Sequence, residues 1–287
     1  MIEEARSTKR GSKYPLELLK AILAVFAIIC VTGLFSELFS SLLLKDGDDT
    51  WKDVVILYSE IFGIGTTIFY CIVFEKRSIH SVGFRKPFAK EYGIGCIVGT
   101  ILFSTVVLLG VICGGFCFCG LNKNINVTMQ LLLLAGFAIQ GMSEEVLCRG
   151  FVFVSLARKN GIFSACLGNA ILFGLMHIFN EGFSFIPFIN LTLFGILETL
   201  VVMKTDKIWM ASAIHSIWNY MQGCIWGLSV SGDSIGSSIF TFEQSGSDLV
   251  SGGAFGPEGG LPVTIVLSIG IIFLLKNMQS DYAKNSI

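Results

Sequence analysis

Residues 131–156 read LLLLAGFAIQGMSEEVLCRGFVFVSL. A helix needs about 20 mostly apolar residues to cross a bilayer. This run exceeds that length and carries Glu144, Glu145 and Arg149 inside it. A charge at bilayer depth costs roughly 2.5–3.5 kcal/mol on insertion scales. Packing of a lipid-facing helix offers nothing to offset three of them. The stretch GMSEEVLCRGF (141–151) is therefore expected to face the protein interior and to hold the chemistry.

The rest of the chain fits a membrane setting. Of its 287 residues, 53% are hydrophobic and 14% charged, and the mean hydropathy is +0.74. Soluble domains carry about 25% charged residues, so the composition is that of an integral membrane protein. A net charge of −1 gives no case for nucleic-acid binding. Nine cysteines fall mostly in apolar runs and form no CxxC pair, which supports neither a zinc knuckle nor a disulfide framework. They read as small hydrophobes.

Eight candidate spans appear, at about 16–40, 53–74, 92–116, 128–156, 161–180, 184–203, 208–228 and 261–276. The first follows a basic start and reads as a retained signal anchor. The expected fold is all-α: a polytopic bundle of about eight transmembrane helices in a cell membrane, both termini cytoplasmic. Residues 1–14 are expected to be a basic tail, 15–279 one bundle, and 280–287 a second tail. Orientation comes from the bases. One set of loops and ends holds Arg6, Lys9, Arg10, Lys13, Lys76, Arg77, Arg85, Lys86, Lys90, Arg158, Lys159, Lys204, Lys207, Lys276 and Lys284, fifteen in all. The other holds only Lys45, Lys52 and Lys123. Cytoplasmic loops are the basic ones. Residues 75–91 read equally as an amphipathic segment on the inner leaflet or as an ordinary basic loop. The glycine-rich run 252–260 reads as a structured turn or a flexible tether.

On a helix, Glu145 and Arg149 share a face, acid before base, the favoured order. Glu144 points about 100° away, so the arginine can neutralise one glutamate and leave the other available. Of the three histidines, His80 sits in a basic loop, whereas His177 and His215 lie in separate apolar spans. Asn219 follows His215 by four residues and shares its face. Buried polar groups need partners, and one shared, water-filled pocket supplies them most simply. Glu60 and Glu198 also lie in spans, without an evident role.

The ordered set E-E-x-x-x-R (Glu144, Glu145, Arg149), F-x-x-x-H (Phe173, His177) and H-x-x-x-N (His215, Asn219) resembles the CAAX-protease and bacteriocin-processing (CPBP, or Abi) intramembrane proteases over about 125–228. The segments 81–85 and 252–259 resemble bacterial members as well. The resemblance implies an intramembrane endopeptidase acting on a membrane-associated peptide or protein, in bacteriocin or pheromone processing or in immunity. It implies that Glu144 with His177 activates the attacking water, that His215 and Asn219 donate to the oxyanion, and that Glu145 with Arg149 supports the glutamate helix. A metalloprotease and a metal-free glutamate mechanism both stay open; Glu144, His177 and His215 are acceptable zinc ligands. Two other classes compete: a proton-coupled transporter, whose relays use the same residue types, and a non-catalytic protein that binds a partner in the membrane. Depth poses a problem. His177 lies about 24 Å along its span from the basic side and His215 about 10 Å, so contact between them requires a deeper start for the fifth span or strong tilt.

Overall fold

The computed structural model describes residues 1–6, 14–44, 51–159 and 161–285. Lys9, Arg10, Lys13 and Lys45 lie outside the described residues. A short helix α1 (Ile2–Arg6) precedes α2 (Tyr14–Leu43). Then come α3 (Lys52–Ser59) and α4 (Ile61–Val73), continuous but for Glu60 between them. They are followed by α5 (Ala89–Ile112), strand β1 (Phe116–Leu121) and α6 (Val127–Glu145). The chain stays helical after α6, passing through a π-helical segment (Val146–Phe153) into α7 (Val154–Ala157). Next are α8 (Ile162–Met176), α9 (Phe185–Thr205) and α10 (Trp209–Tyr220), the last extended by a π-helical turn (Met221–Ile225). Strand β2 (Phe240–Gln244), α11 (Asp248–Ser251) and α12 (Leu261–Asn285) complete the order.

The structure is a helical membrane bundle. Among the described residues six helices are long and apolar enough to cross a bilayer: Pro15–Leu43, Lys52–Val73, Ala89–Ile112, Val127–Ala157, Phe185–Thr205 and Leu261–Asp281. The expected count of eight thus reduces to six by length. The other two apolar segments form shorter helices. Helix α8 keeps a lipid-type stripe at Phe163, Leu167, Ile171 and Leu175, spaced by four residues as one helix face requires. Helix α10 is instead sheathed by protein, with Ala211–Ser216, Trp218 and Asn219 buried. A helix surrounded by others need not match the bilayer thickness, so a length criterion alone does not register α10.

Close packing sets α10 in place. A Cβ on Gly95 would sit 2.5 Å from the Met210 carbonyl oxygen, and one on Gly99 would sit 2.8 Å from that of Ile214. From the other side, a Cβ on Gly141 would lie 2.7 Å from the Ser216 amide nitrogen. Small residues are what let membrane helices approach this closely. They hold the His215 turn between α5 and α6.

The two ends of the bundle differ. At one end the basic segments gather. The Met1 amino group binds Asp206 at 2.6 Å, Arg85 pairs with Glu4 (2.8 Å) and with Asp206, and Lys207 pairs with Glu91 at 3.0 Å. The start of the chain is accordingly packed rather than a free tail, with Met1 and Ala5 buried, and α12 runs on through residues 280–285. Segment 75–91 is neither a surface helix nor a plain loop, because Arg77 is buried. Its guanidinium donates to the carbonyls of Gly150 (2.6 Å) and Phe151 (3.4 Å) in the π-helical segment, to Ser155 and to Glu75. At the opposite end, loops 113–126 and 226–260 form a cap that includes the antiparallel pair β1–β2, an addition to the all-helical expectation.

Candidate active site

Helix α6 brings Glu144 and Glu145 to the centre and aims them apart. Glu145 is fully buried; its Oε1 accepts from Arg149 at 2.8 Å and faces Nδ1 of His215 at 2.9 Å. Arg149 also donates to the Gly195 carbonyl at 3.3 Å, and its guanidinium lies 4.7 Å from the Phe173 ring centroid. Cation, acid and imidazole form one rigid stack. A buried ion pair of this sort is weak evidence for stability but fixes geometry when fully hydrogen-bonded.

Glu144 turns the other way, into a cavity of about 520 Å³. Its Oε1 accepts from Gln140, one helical turn earlier, which in turn accepts from Asn219 at 3.0 Å. Its Oε2 is buried without a hydrogen-bond partner and lies 3.8 Å from Nε2 of His215. Both nitrogens of His215 therefore face carboxylate oxygens, which only accept. The ring is disposed to donate from both sides as an imidazolium, which would balance the two glutamates together with Arg149.

His177 caps the end of α8. Its Nδ1 donates to the Phe173 carbonyl at 3.0 Å, because a carbonyl can only accept. That leaves Nε2 as the acceptor. His177 lines the same cavity as Glu144, His215 and Asn219. The depth problem resolves without any deeper start for α8. The two imidazoles sit at different heights of one cavity, and the Phe173 ring packs against both, at 5.1 Å from His177 and 5.9 Å from His215. Phe194 completes the wall, 5.1 Å from His215.

All six candidate residues thus belong to one constellation, four of them lining the cavity and Glu145 and Arg149 behind it. Sequence reasoning missed Gln140 and Glu258 and left Glu60 and Glu198 without a role. Gln140 shares the Glu144 face and is readable from helical spacing alone. Glu60, at the α3–α4 junction, lines the cavity too; a buried acid in a span was the signal. Glu198 is fully buried with neither oxygen hydrogen-bonded. Glu258 carried no periodic signal. It accepts from the Ser231 amide (2.8 Å) and hydroxyl (2.7 Å), from Gln222 (3.2 Å) and from Trp218 (3.3 Å). This acid makes residues 252–260 a structured strap, with Gly252, Gly253 and Gly256 at positive φ, where a Cβ would be strained.

Among the described residues no three His, Cys, Asp or Glu are grouped to hold an ion. At the cavity mouth Asp233 has its carboxyl pushed above the ordinary range, first by burial and then by the charge of Asp53.

Comparison with curated proteins and with solved structures gave no match. Residues 126–221, about a third of the chain, match the model of the family described as Type II CAAX prenyl endopeptidase Rce1-like. The matched segment contains Glu144, Glu145, Arg149, His177, His215 and Asn219 and agrees with the CPBP resemblance. The matched segment is thus similar to the core of Rce1-like endopeptidases, and the chain around it is that of a multi-pass membrane protein.

Proposed function

We propose that the chain is an intramembrane endopeptidase in which Glu144 activates a water against a peptide bond of a membrane-associated peptide or protein. The observation that carries the reading is the Oε2 of Glu144: buried, without a hydrogen-bond partner, and facing a cavity beside His215. A buried acceptor left open at a cavity points to a ligand or water.

A water bound between Glu144 and Nε2 of His177 gives a proton to Glu144 as its oxygen adds to the scissile carbonyl. His215 and Asn219 donate hydrogen bonds to the oxyanion, the kind of preorganised stabilisation that usually contributes most. Glu144 then passes the proton to the departing amine, and the new carboxyl group is released. Glu145 keeps His215 in orientation, and Gln140 keeps Glu144 in its rotamer. The reaction so written needs no metal.

Purified protein in detergent, with candidate peptides, tests the reading through Glu144→Ala, His177→Ala and His215→Ala. Each is expected to abolish cleavage; survival of cleavage in all three overturns the assignment. Elemental analysis with 1,10-phenanthroline and zinc add-back tests the metal-free mechanism. Stoichiometric zinc whose removal stops cleavage, and whose return restores it, overturns that mechanism. Comparing membrane peptides between wild type and Glu144→Ala cells names the substrate.

A further inference from the structure

We infer that the catalytic cavity is entered from the extracytoplasmic side, so that the substrate presents its scissile bond there, as an exported peptide or an outward-facing segment of a membrane protein. The inference rests on the peptidase reading for the word substrate, but its geometry stands apart from it.

Three observations converge. First, the structure sorts the loops into two ends, as the sequence count requires. Contacts among Met1, Glu4, Arg85, Asp206, Glu91 and Lys207 place the basic segments together. At the other end, Asp53 accepts from the Gly236 amide at 3.1 Å, Asn180 donates to the Ser231 carbonyl at 2.8 Å, and Gln130 donates to that of Ser237 at 3.1 Å. Second, the cavity's lining reaches that second end and not the first: it includes Lys52, Asp53, Val230, Ser231 and residues 233–236, and none of it comes from a basic segment at the first end. Third, the route to the basic end is filled. From Glu145 to Arg158 every residue is buried. Beneath them Glu75 joins Arg77 (3.0 Å) and Arg158 (2.8 Å) in a desolvated ion network. A second cavity of about 360 Å³, sharing Glu144 and His177, is lined chiefly by α2, α4 and α6 and likewise by no residue of the basic segments. With fifteen bases against three, the positive-inside rule assigns the filled end to the cytoplasm. The open end is the outer one.

The test uses the full chain in cells, with exposed Cys30, Cys113, Cys117 and Cys119 changed to serine. Ser234→Cys marks the cavity mouth, and Lys86→Cys marks the basic end. Intact cells are treated with a membrane-impermeant maleimide. Expected is labelling of Ser234→Cys at least about tenfold above Lys86→Cys, with Lys86→Cys reacting only after permeabilisation. Preferential labelling of Lys86→Cys in intact cells, or equal labelling of both, overturns the inference. Cleavage by Glu144→Gln is measured in parallel. Labelling as expected with undiminished Glu144→Gln cleavage leaves the side correct and the peptidase reading wrong; reversed labelling with a dead Glu144→Gln is the converse.

Discussion

The two ends of this bundle spend their charges differently. At the basic end, Arg77 is met by Glu75, Ser81, Ser155 and three main-chain carbonyls, and Arg158 by Glu75 and Glu17. At the cavity end, Glu144 keeps an oxygen open and His177 keeps a ring nitrogen open. Paired buried charges hold structure, whereas an open one in a cavity is a candidate for chemistry. The contrast predicts that equal removal of charge at the two ends will damage different properties.

The largest expected effect is on Glu144→Gln. The side chain keeps its size and its place beside Gln140 but can no longer take a proton. Cleavage should fall by roughly 10²–10⁴-fold, while the thermal midpoint in detergent stays within about 2 °C of wild type. A large loss of stability with retained turnover would erase the distinction between the two ends.

Arg77→Met is the counterpart. It leaves Glu75 with Arg158 and Ser155 alone and uncovers the Gly150 carbonyl, and breaking a buried pair from one side costs about 3–5 kcal/mol. The expected result is a marked fall in unfolding midpoint or in yield. Protein that does fold should keep a wild-type pH profile for cleavage, since Arg77 lies outside the cavity. Loss of turnover without loss of stability would assign Arg77 to the chemistry instead.

Much of this was legible before any coordinates, for a physical reason. Charge at membrane depth is an expensive anomaly, so Glu144, Glu145, Arg149, His177 and His215 stand out against their apolar surroundings. Helical spacing then separated the two glutamates, and the structure places Glu145 on Arg149 and Glu144 in the cavity. Legibility stopped where a signal depends on tertiary context. Arg77 looks like any loop base until the π-helical segment it serves is seen. Glu258 lies in a loop without periodicity. The shortness of α10 goes with neighbours that shield it from lipid, which hydropathy does not register. Gln140 was within reach, since it precedes Glu144 by one turn.

Gln140→Met sharpens the comparison inside the cavity end itself. Gln140 touches Glu144 and Asn219 through its amide and is argued to position both. Its loss should lower kcat about tenfold, much less than loss of Glu144, and leave KM within about twofold. A stability loss with an unchanged kcat would reduce Gln140 to packing.

The smallest expected effect lies at the cavity mouth. The carboxyl of Asp233 is held above its ordinary range by burial and by the charge of Asp53, against a partial offset from His177 and Lys52. A carboxyl whose value is raised on folding favours the folded state while protonated, and that contribution is lost as pH rises through the raised value. Ionised Asp233 therefore works against the folded mouth at neutral pH. Asp233→Asn keeps the shape and removes the charge, so it should raise the thermal midpoint at pH 7. The gain should be no more than about 2 °C, because solvent screens a group at the surface. At a pH below the ordinary aspartate range the variant and wild type should melt together, since both are then neutral at this position. A gain that persists unchanged into acid would show that the carboxyl's charge is not the cause, and the acidic mouth would lose its part in the contrast between the two ends.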